Sequence, residues 1–248
     1  MSLRLGLGLG LSRGAVSGGG AAVARPASTA LLFIADPDAN LSLTGANVNS
    51  MTDTIAAVTA TAGGTKATRQ TAVLNGYNVL RGSCNQYLTP NTAAGKMDAY
   101  VTATAGCIVG VFNPAANTDY LYRSRTVSSI TIEMVDDAGT PKLRVTVRDQ
   151  DGGSISIKIA AALAAWHTFA MRWTASTLYL SVDGGAESSA ALSATGGVGV
   201  SNLSHRMDLL GSLDAGGTTF TGDWMEMSVI AGADVAAWQA FVESEYAL

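Results

Sequence analysis

The sequence predicts an all-β chain: an antiparallel jelly-roll β-sandwich with a short C-terminal helix and an extended N-terminal arm. Three observations predict it. Short apolar runs recur from residue 29 onward, divided by clusters of Gly, Asn, Asp, Ser and Pro, and such spacing belongs to sandwiches rather than to strands alternating with long helices. Within several runs apolar and polar residues alternate, the period-two pattern of a strand with one buried face. Helical periodicity shows only at the C-terminal end. A chain of 248 residues is a normal length for one large sandwich.

The elements follow in order. Leu31 to Ala35 is a compact apolar strand. Lys96 to Thr104, KMDAYVTAT, alternates and reads as a strand. Cys107 to Phe112 is a continuous apolar run of the kind a doubly buried strand shows. Then come SITIEMV (129–135), LRVTVRD (143–149) and SISIKIA (154–160), separated by Asp136-Asp137-Ala138-Gly139 and Asp151-Gly152-Gly153. Both separators carry turn chemistry. The clearest hairpin is WHTFAMRWTASTLYLSVDGG (166–185). His167, Phe169, Met171 and Trp173 share one face, with Thr168, Ala170 and Arg172 on the other. Leu178, Leu180 and Val182 form the return strand, and Asp183-Gly184 turns the chain. In the last element Asp234 is placed as N-cap, and Val235, Trp238, Phe241, Val242 and Tyr246 recur at helical spacing. Trp166, Trp173, Trp224 and Trp238 read as core residues from their periodicity.

Residues 1–28 differ from the rest. Leu3, Leu5, Leu7, Leu9 and Leu11 alternate with Arg4 and three glycines. An extended strand would carry all five leucines on one face and almost nothing on the other. Such a strand is unstable alone and needs a partner surface. Gly18-Gly19-Gly20 and Pro26 mark residues 14–28 as a linker. The division is therefore an assembly arm and linker over 1–28 and a sandwich over 29–248.

Composition narrows the function classes. Net charge is −4, with no overall basic footprint for nucleic acid. No apolar run approaches the ~18 residues needed for a membrane-spanning helix. Charged residues make up only 14%, against ~25% in ordinary domains. A weakly charged surface of small residues suits packing against other chains, including copies of itself. Cys84 and Cys107 are the two cysteines and His167 and His205 the two histidines, a poor set for zinc. The two thiols are compatible with a disulfide or with two free, partly buried side chains.

Chemistry for catalysis is not signalled. Retaining glycoside hydrolysis needs two carboxyl groups ~5–5.5 Å apart. Glu133, Asp136 and Asp137 run into a turn, Glu226 has no partner in its strand beyond nearby Asp223, and Glu243 and Glu245 fall on the helix. A strand-borne His167 among Phe169, Met171 and Trp173 reads as a satisfied core or rim residue rather than a base. For glycan contact, exposed rings and amides on loops are wanted. Tyr77, Tyr87, Tyr120, Tyr122 and Asn117 are candidates. The stretch NTDYLYRSR places Tyr120 and Tyr122 beside Arg123 and Arg125 and reads either as a glycan or partner contact or as a solvated edge strand.

Four segments resemble a known family. LLFIADPDANLSLTGANVNSMTD (31–53) is similar to the opening strand and loop of laminin-G-like domains, with Met51 where Trp is usual. ATRQTAVLNGYNVLRGSCNQYLTP (67–90) resembles their next part, with Arg81-Gly82-Ser83-Cys84 replacing a usual Phe-Asp-Gly. The hairpin at 166–185 looks like their W-H…W…L-Y-V-D-G pair. FTGDWMEMSVIAGADVAAWQAFVESEYAL (220–248) resembles their closing strand and helix. Four such segments in order, over 29–248, imply a concanavalin A-like lectin fold. Some of these domains bind calcium through loop carboxylates, so Asp36, Asp38 and Asn40 become candidate Ca²⁺ ligands; an Asx-rich turn explains the same triplet.

A leucine/glycine arm and a glycine-rich linker ahead of a lectin-like domain also resemble phage virion proteins. That resemblance implies a non-enzymatic structural component of the tail or capsid surface, made in the host cytoplasm and located in the particle. It implies anchoring to other virion proteins through the arm, homo-oligomerisation, and contact with host-surface glycan. The alternatives are a free-standing carbohydrate-binding module and a glycoside hydrolase.

Overall fold

A computed structural model describes residues 23–64, 66–82, 86–90, 100–117, 119–124, 130–149, 151–192, 196–198, 207–211 and 220–248. Leu3, Leu5, Leu7, Leu9, Leu11, Cys84, Arg125 and His205 lie outside the described residues.

Seventeen strands, one α-helix and two short 3₁₀ turns are described. The first seven strands are β1 (Leu31–Ile34), β2 (Leu41–Thr44), β3 (Asn47–Thr52), β4 (Thr59–Gly64), β5 (Thr68–Leu74), β6 (Tyr77–Gly82) and β7 (Gln86–Pro90). The middle group is β8 (Gly106–Pro114), β9 (Tyr120–Ser124), β10 (Ile130–Asp137), β11 (Thr140–Arg148) and β12 (Ser154–Ala160). The last are β13 (His167–Trp173), β14 (Thr177–Val182), β15 (Ser188–Ala191), β16 (Met207–Leu209) and β17 (Gly222–Val229), followed by α1 (Val235–Tyr246).

All described pairings are antiparallel, and they build two layers. One runs β15–β14–β13–β8–β17. The far edge of β17 pairs first with β6 through Gly222–Trp224 and then with β1 through Glu226–Val229. β5 extends that edge beside β6. The second layer runs β12–β11–β10–β9–β16–β7–β4–β3–β2. A single pair, Asn47 opposite Thr68, joins the layers at one side. Tyr122 of β9 crosses the interior to Trp224 of β17 and lies 5.9 Å from the Phe169 ring of β13. The layers therefore face each other over one apolar core.

The hairpin predicted at 166–185 is β13–β14, in register from Phe169 opposite Val182 to Trp173 opposite Leu178. Asp183 and Gly184 both adopt positive φ at its end, as the turn requires. Phe169 and Trp173 lie over Gly110 and Gly106 of β8, where a Cβ would collide with the rings. The predicted outward face of β13 is also buried: Thr168 and Ala170 are each 2% exposed. The cause is α1, which folds back over this layer and receives the Thr168 hydroxyl on Gln239 Oε1 at 3.1 Å. Trp238, Val242 and Tyr246 are its buried residues, each burial worth roughly 1.5–3 kcal/mol before ordering costs.

Two expectations are corrected. The described part of 96–104 is no strand: Thr102 and Ala105 close a tight turn, and Trp173 Nε1 donates to the Thr102 carbonyl at 3.0 Å. Asp234 occupies the N-cap position but makes no cap bond; its carboxylate accepts from the Ser28 hydroxyl instead.

Candidate functional site

The site starts from one irregularity in β17. Residues two apart on a strand share a face, so Trp224 and Glu226 should point the same way. A bulge between them breaks the register against β8, with Trp224 opposite Phe112 and Glu226 opposite Val111. Trp224 therefore enters the core, while Glu226 turns to the outer face beneath α1. Glu226 is 0% exposed.

A buried carboxylate survives only if its oxygens are satisfied. Arg25 does this with a two-pronged contact, Nη1 to Oε1 at 2.9 Å and Nη2 to Oε2 at 2.7 Å. Trp238 Nε1 donates to Oε1 at 3.0 Å, and the Tyr246 hydroxyl donates to Oε2. Burial alone would push the Glu226 carboxyl up; Arg25, Tyr246 and Trp238 hold it below its ordinary value. Burial drives the Tyr246 hydroxyl strongly upward, so it stays a neutral donor. Arg25 lies on the arm side of the boundary read from sequence, yet its side chain is bonded inside the sandwich.

Arg25 and Tyr246 of this cluster line a cleft of about 540 Å³. The Arg25 guanidinium stacks 4.3 Å from the Phe241 ring centre. Tyr77 stands edge-on to Tyr246, ring centres 5.3 Å apart at 88°, and its hydroxyl meets Glu245 Oε1. Asp36 and Pro37, joined by a cis peptide bond, form the opposite lip. Three aromatic rings, a proline and two carboxylates thus line one opening. Apolar ring surface combined with hydroxyl acceptors is a pairing that suits a polyhydroxylated ligand. A larger cleft of about 660 Å³ lies on the other flank of α1, but small residues such as Gly184, Ala236 and Ala240 line much of it.

Tyr77, a predicted glycan contact, lies in the cleft. Tyr122 does not: it is 0% exposed, accepts from Trp224 Nε1, and donates to the Glu226 carbonyl at 3.5 Å. Its contact role is withdrawn because the ring is part of the core. Tyr120 and Arg123 are half-buried and stack on each other at 4.9 Å; Arg125 and the Tyr87 side chain lie outside the described residues. Asp38 is held by Arg69 and by Asn78 Nδ2 at 3.0 Å, and Asp36 accepts from the Asn78 amide at 3.1 Å. The Asn40 side-chain nitrogen, Nδ2, is buried without a hydrogen-bond partner, while its backbone N–H donates to the Pro37 carbonyl at 3.2 Å. Among the described residues no group of three or more His, Cys, Asp or Glu gathers in a metal-holding arrangement. Arg69 and Asn78 thus hold the two aspartates of the triplet.

His167 sits between two acceptors, Asp183 Oδ2 at 2.7 Å from Nδ1 and the Ala162 carbonyl at 2.9 Å from Nε2. Burial lowers its pKa, but these two acceptors outweigh it and the net shift is upward. Cys107 is a free, buried thiol.

Sequence reasoning missed Arg25, Glu226 and Glu245. One signal was present: Glu226 interrupts the apolar stretch WMEMSVI, and a carboxylate there must find a cation.

No protein-family model and no curated protein matches the chain. Solved structures do. Domain 4 of AbnA, a GH43 extracellular arabinanase from Geobacillus stearothermophilus, solved with arabinotriose, is similar at 11% identity over 83% of this chain and 93% of that one, TM-score 0.56. A structure of botulinum neurotoxin type C, whose cell entry depends on interaction with two ganglioside molecules, is similar at 10% identity over 88% of this chain, TM-score 0.58. The chain spans 52% of that toxin chain, and 27% of a leech intramolecular trans-sialidase that it matches at 16% identity over 66% of this chain with TM-score 0.49. The likeness to the arabinanase domain and the toxin establishes the fold alone: an antiparallel β-sandwich.

Proposed function

We propose that the chain is a non-enzymatic surface component of a phage virion. Its lectin-like sandwich contacts host glycan, and its N-terminal arm anchors it to other virion proteins and to its own copies. The observation that carries the glycan reading is the cleft in which Tyr77 and Phe241 stand beside Asp36 and Glu245. Arabinotriose in the similar arabinanase domain supports the same ligand class. The anchoring reading rests on the leucine comb over residues 3–11, which needs a surface to cover it.

The buried carboxylate favours binding over hydrolysis. Glu226 is closed in by Arg25, Trp238 and Tyr246 and presents no oxygen to a scissile bond. The test is a glycan array probed with the full chain, run beside a reducing-sugar assay on host envelope polysaccharide. Retention on a defined set of glycans without sugar release is expected. Release of reducing sugar, or no retention on any glycan, contradicts the proposal.

A further inference from the structure

We infer a second saccharide subsite on the same outer sheet face, built from Thr68, Arg81, Asp223 and Asn113 and suited to a neutral sugar. Strand register places these four side chains in one row: Thr68 opposite Arg81, Arg81 opposite Asp223, Asp223 opposite Asn113. Opposed residues on neighbouring antiparallel strands share a face. With strands ~4.8 Å apart, the row across β5, β6, β17 and β8 extends about 14 Å. The next row along, Leu80, Trp224 and Phe112, is fully buried, so the polar row faces outward. All four side chains line a cleft of about 480 Å³.

The chemistry of the row selects the ligand class. Asp223 takes Arg81 Nε at 2.7 Å and Nη2 at 2.8 Å, which fixes the guanidinium plane and leaves Nη1 outside the pair. Each Asp223 oxygen keeps acceptor capacity beyond its one bond to Arg81. Thr68 Oγ1 already accepts from Gln70 at 2.9 Å, so its own proton is the group it can offer. Asn113 adds an amide donor and acceptor. Donors and acceptors thus alternate, matching hydroxyl groups that each give and take one hydrogen bond. The Arg81 charge is cancelled by Asp223, and an acidic sugar would meet that carboxylate. The Arg81 side chain is 50% exposed, and an ion pair this open adds little to stability.

This subsite rests on the reading of the chain as a saccharide binder, but it is independent of the Tyr77 cleft. The test uses the full chain, ¹⁵N-labelled, titrated with arabinose, galactose, glucose and their trisaccharides, with glucuronic acid as the anionic control. The Arg81 Nε–H and Asn113 side-chain amide signals are expected to shift with at least one neutral sugar and not with glucuronic acid. The shifts should persist in Tyr77→Ala, and Thr68→Val with Asn113→Ala should weaken that binding about tenfold or more. No response at Arg81 and Asn113 to any neutral sugar, or a response that vanishes in Tyr77→Ala, overturns the subsite. A response only at Tyr77 leaves the first cleft standing without the second; a response only at Arg81 does the reverse.

Discussion

Arg25 and Glu226, 201 residues apart, close a two-pronged ion pair over the outer sheet face, and the same carboxylate holds Trp238 and Tyr246 of the C-terminal helix. The root of the arm and the end of the chain are thereby fastened to one atom group. Removing only the cation strands a buried charge, which costs about 3–5 kcal/mol. Arg25→Met is therefore expected to lower the urea midpoint sharply, and adding Glu226→Gln should recover much of the loss. Equal stability of wild type and Arg25→Met in the same urea titration removes this role.

The pair also sets an acid limit. Glu226 has a folded pKa below its ordinary value of 4.5. Its contribution is fully present above the unfolded value and is lost as pH falls through the folded one. Urea midpoints of wild type should drop between pH 5 and pH 3 more steeply than those of the Arg25→Met, Glu226→Gln double variant. Parallel profiles contradict the assignment.

His167 acts in the opposite direction. Both ring nitrogens face acceptors, so the imidazolium satisfies Asp183 and Ala162 together and the neutral ring satisfies only one. Its folded pKa is raised above 6.5. The stabilisation is therefore complete below 6.5 and fades as pH rises through the folded value. Asp183 is 51% exposed, which limits the effect to below about 1 kcal/mol. An NMR titration should place the His167 midpoint above 6.5, and Asp183→Asn should bring it down; an unmoved midpoint in the variant rejects the pairing.

Cys107 tests the core. Burial, the dominant cause, pushes its thiol up to about 12. Thiolate is the reactive form, so Cys107 in a Cys84→Ser variant should resist maleimide at pH 7 until urea unfolds the chain. Rapid native labelling means that Cys107 is not buried as described.

The arm is tested separately. Deleting residues 2–13 should leave the thermal midpoint of the sandwich unchanged and abolish incorporation into particles. Normal incorporation of the truncated chain removes the arm's proposed anchoring role.

How far the sequence was readable depended on the range of the interaction. The β13–β14 hairpin was legible because alternation and the Asp183-Gly184 turn are local. The helix and the apolar stripe it packs on the sandwich were legible from spacing, but which strands it covers was not. Periodicity in β13 therefore exposed Thr168 and Ala170, which α1 covers from about 70 residues away. Tyr122 was misread because alternation with arginines reports a strand without reporting which layer its ring faces. Residues 96–104 alternate, yet Thr102–Ala105 close a turn under Trp173, where tertiary packing overrides pattern. In the candidate site Tyr77 was visible as a loop-side aromatic. Glu245 was read only as a helix residue, and Phe241 only as part of an apolar stripe. Arg25 and Glu226 became partners only through a bulge, which no single-strand pattern encodes.

The proposed saccharide site has Tyr77 and Phe241 as its ring contacts. Calorimetric titration of the full chain with arabinotriose and with the strongest array glycan tests this directly, comparing wild type with Tyr77→Ala and Phe241→Ala. Truncating a central ring contact costs about 2 kcal/mol or more, so each variant should bind roughly thirtyfold or more weakly while remaining folded. Equal affinity in wild type and both variants would contradict the account.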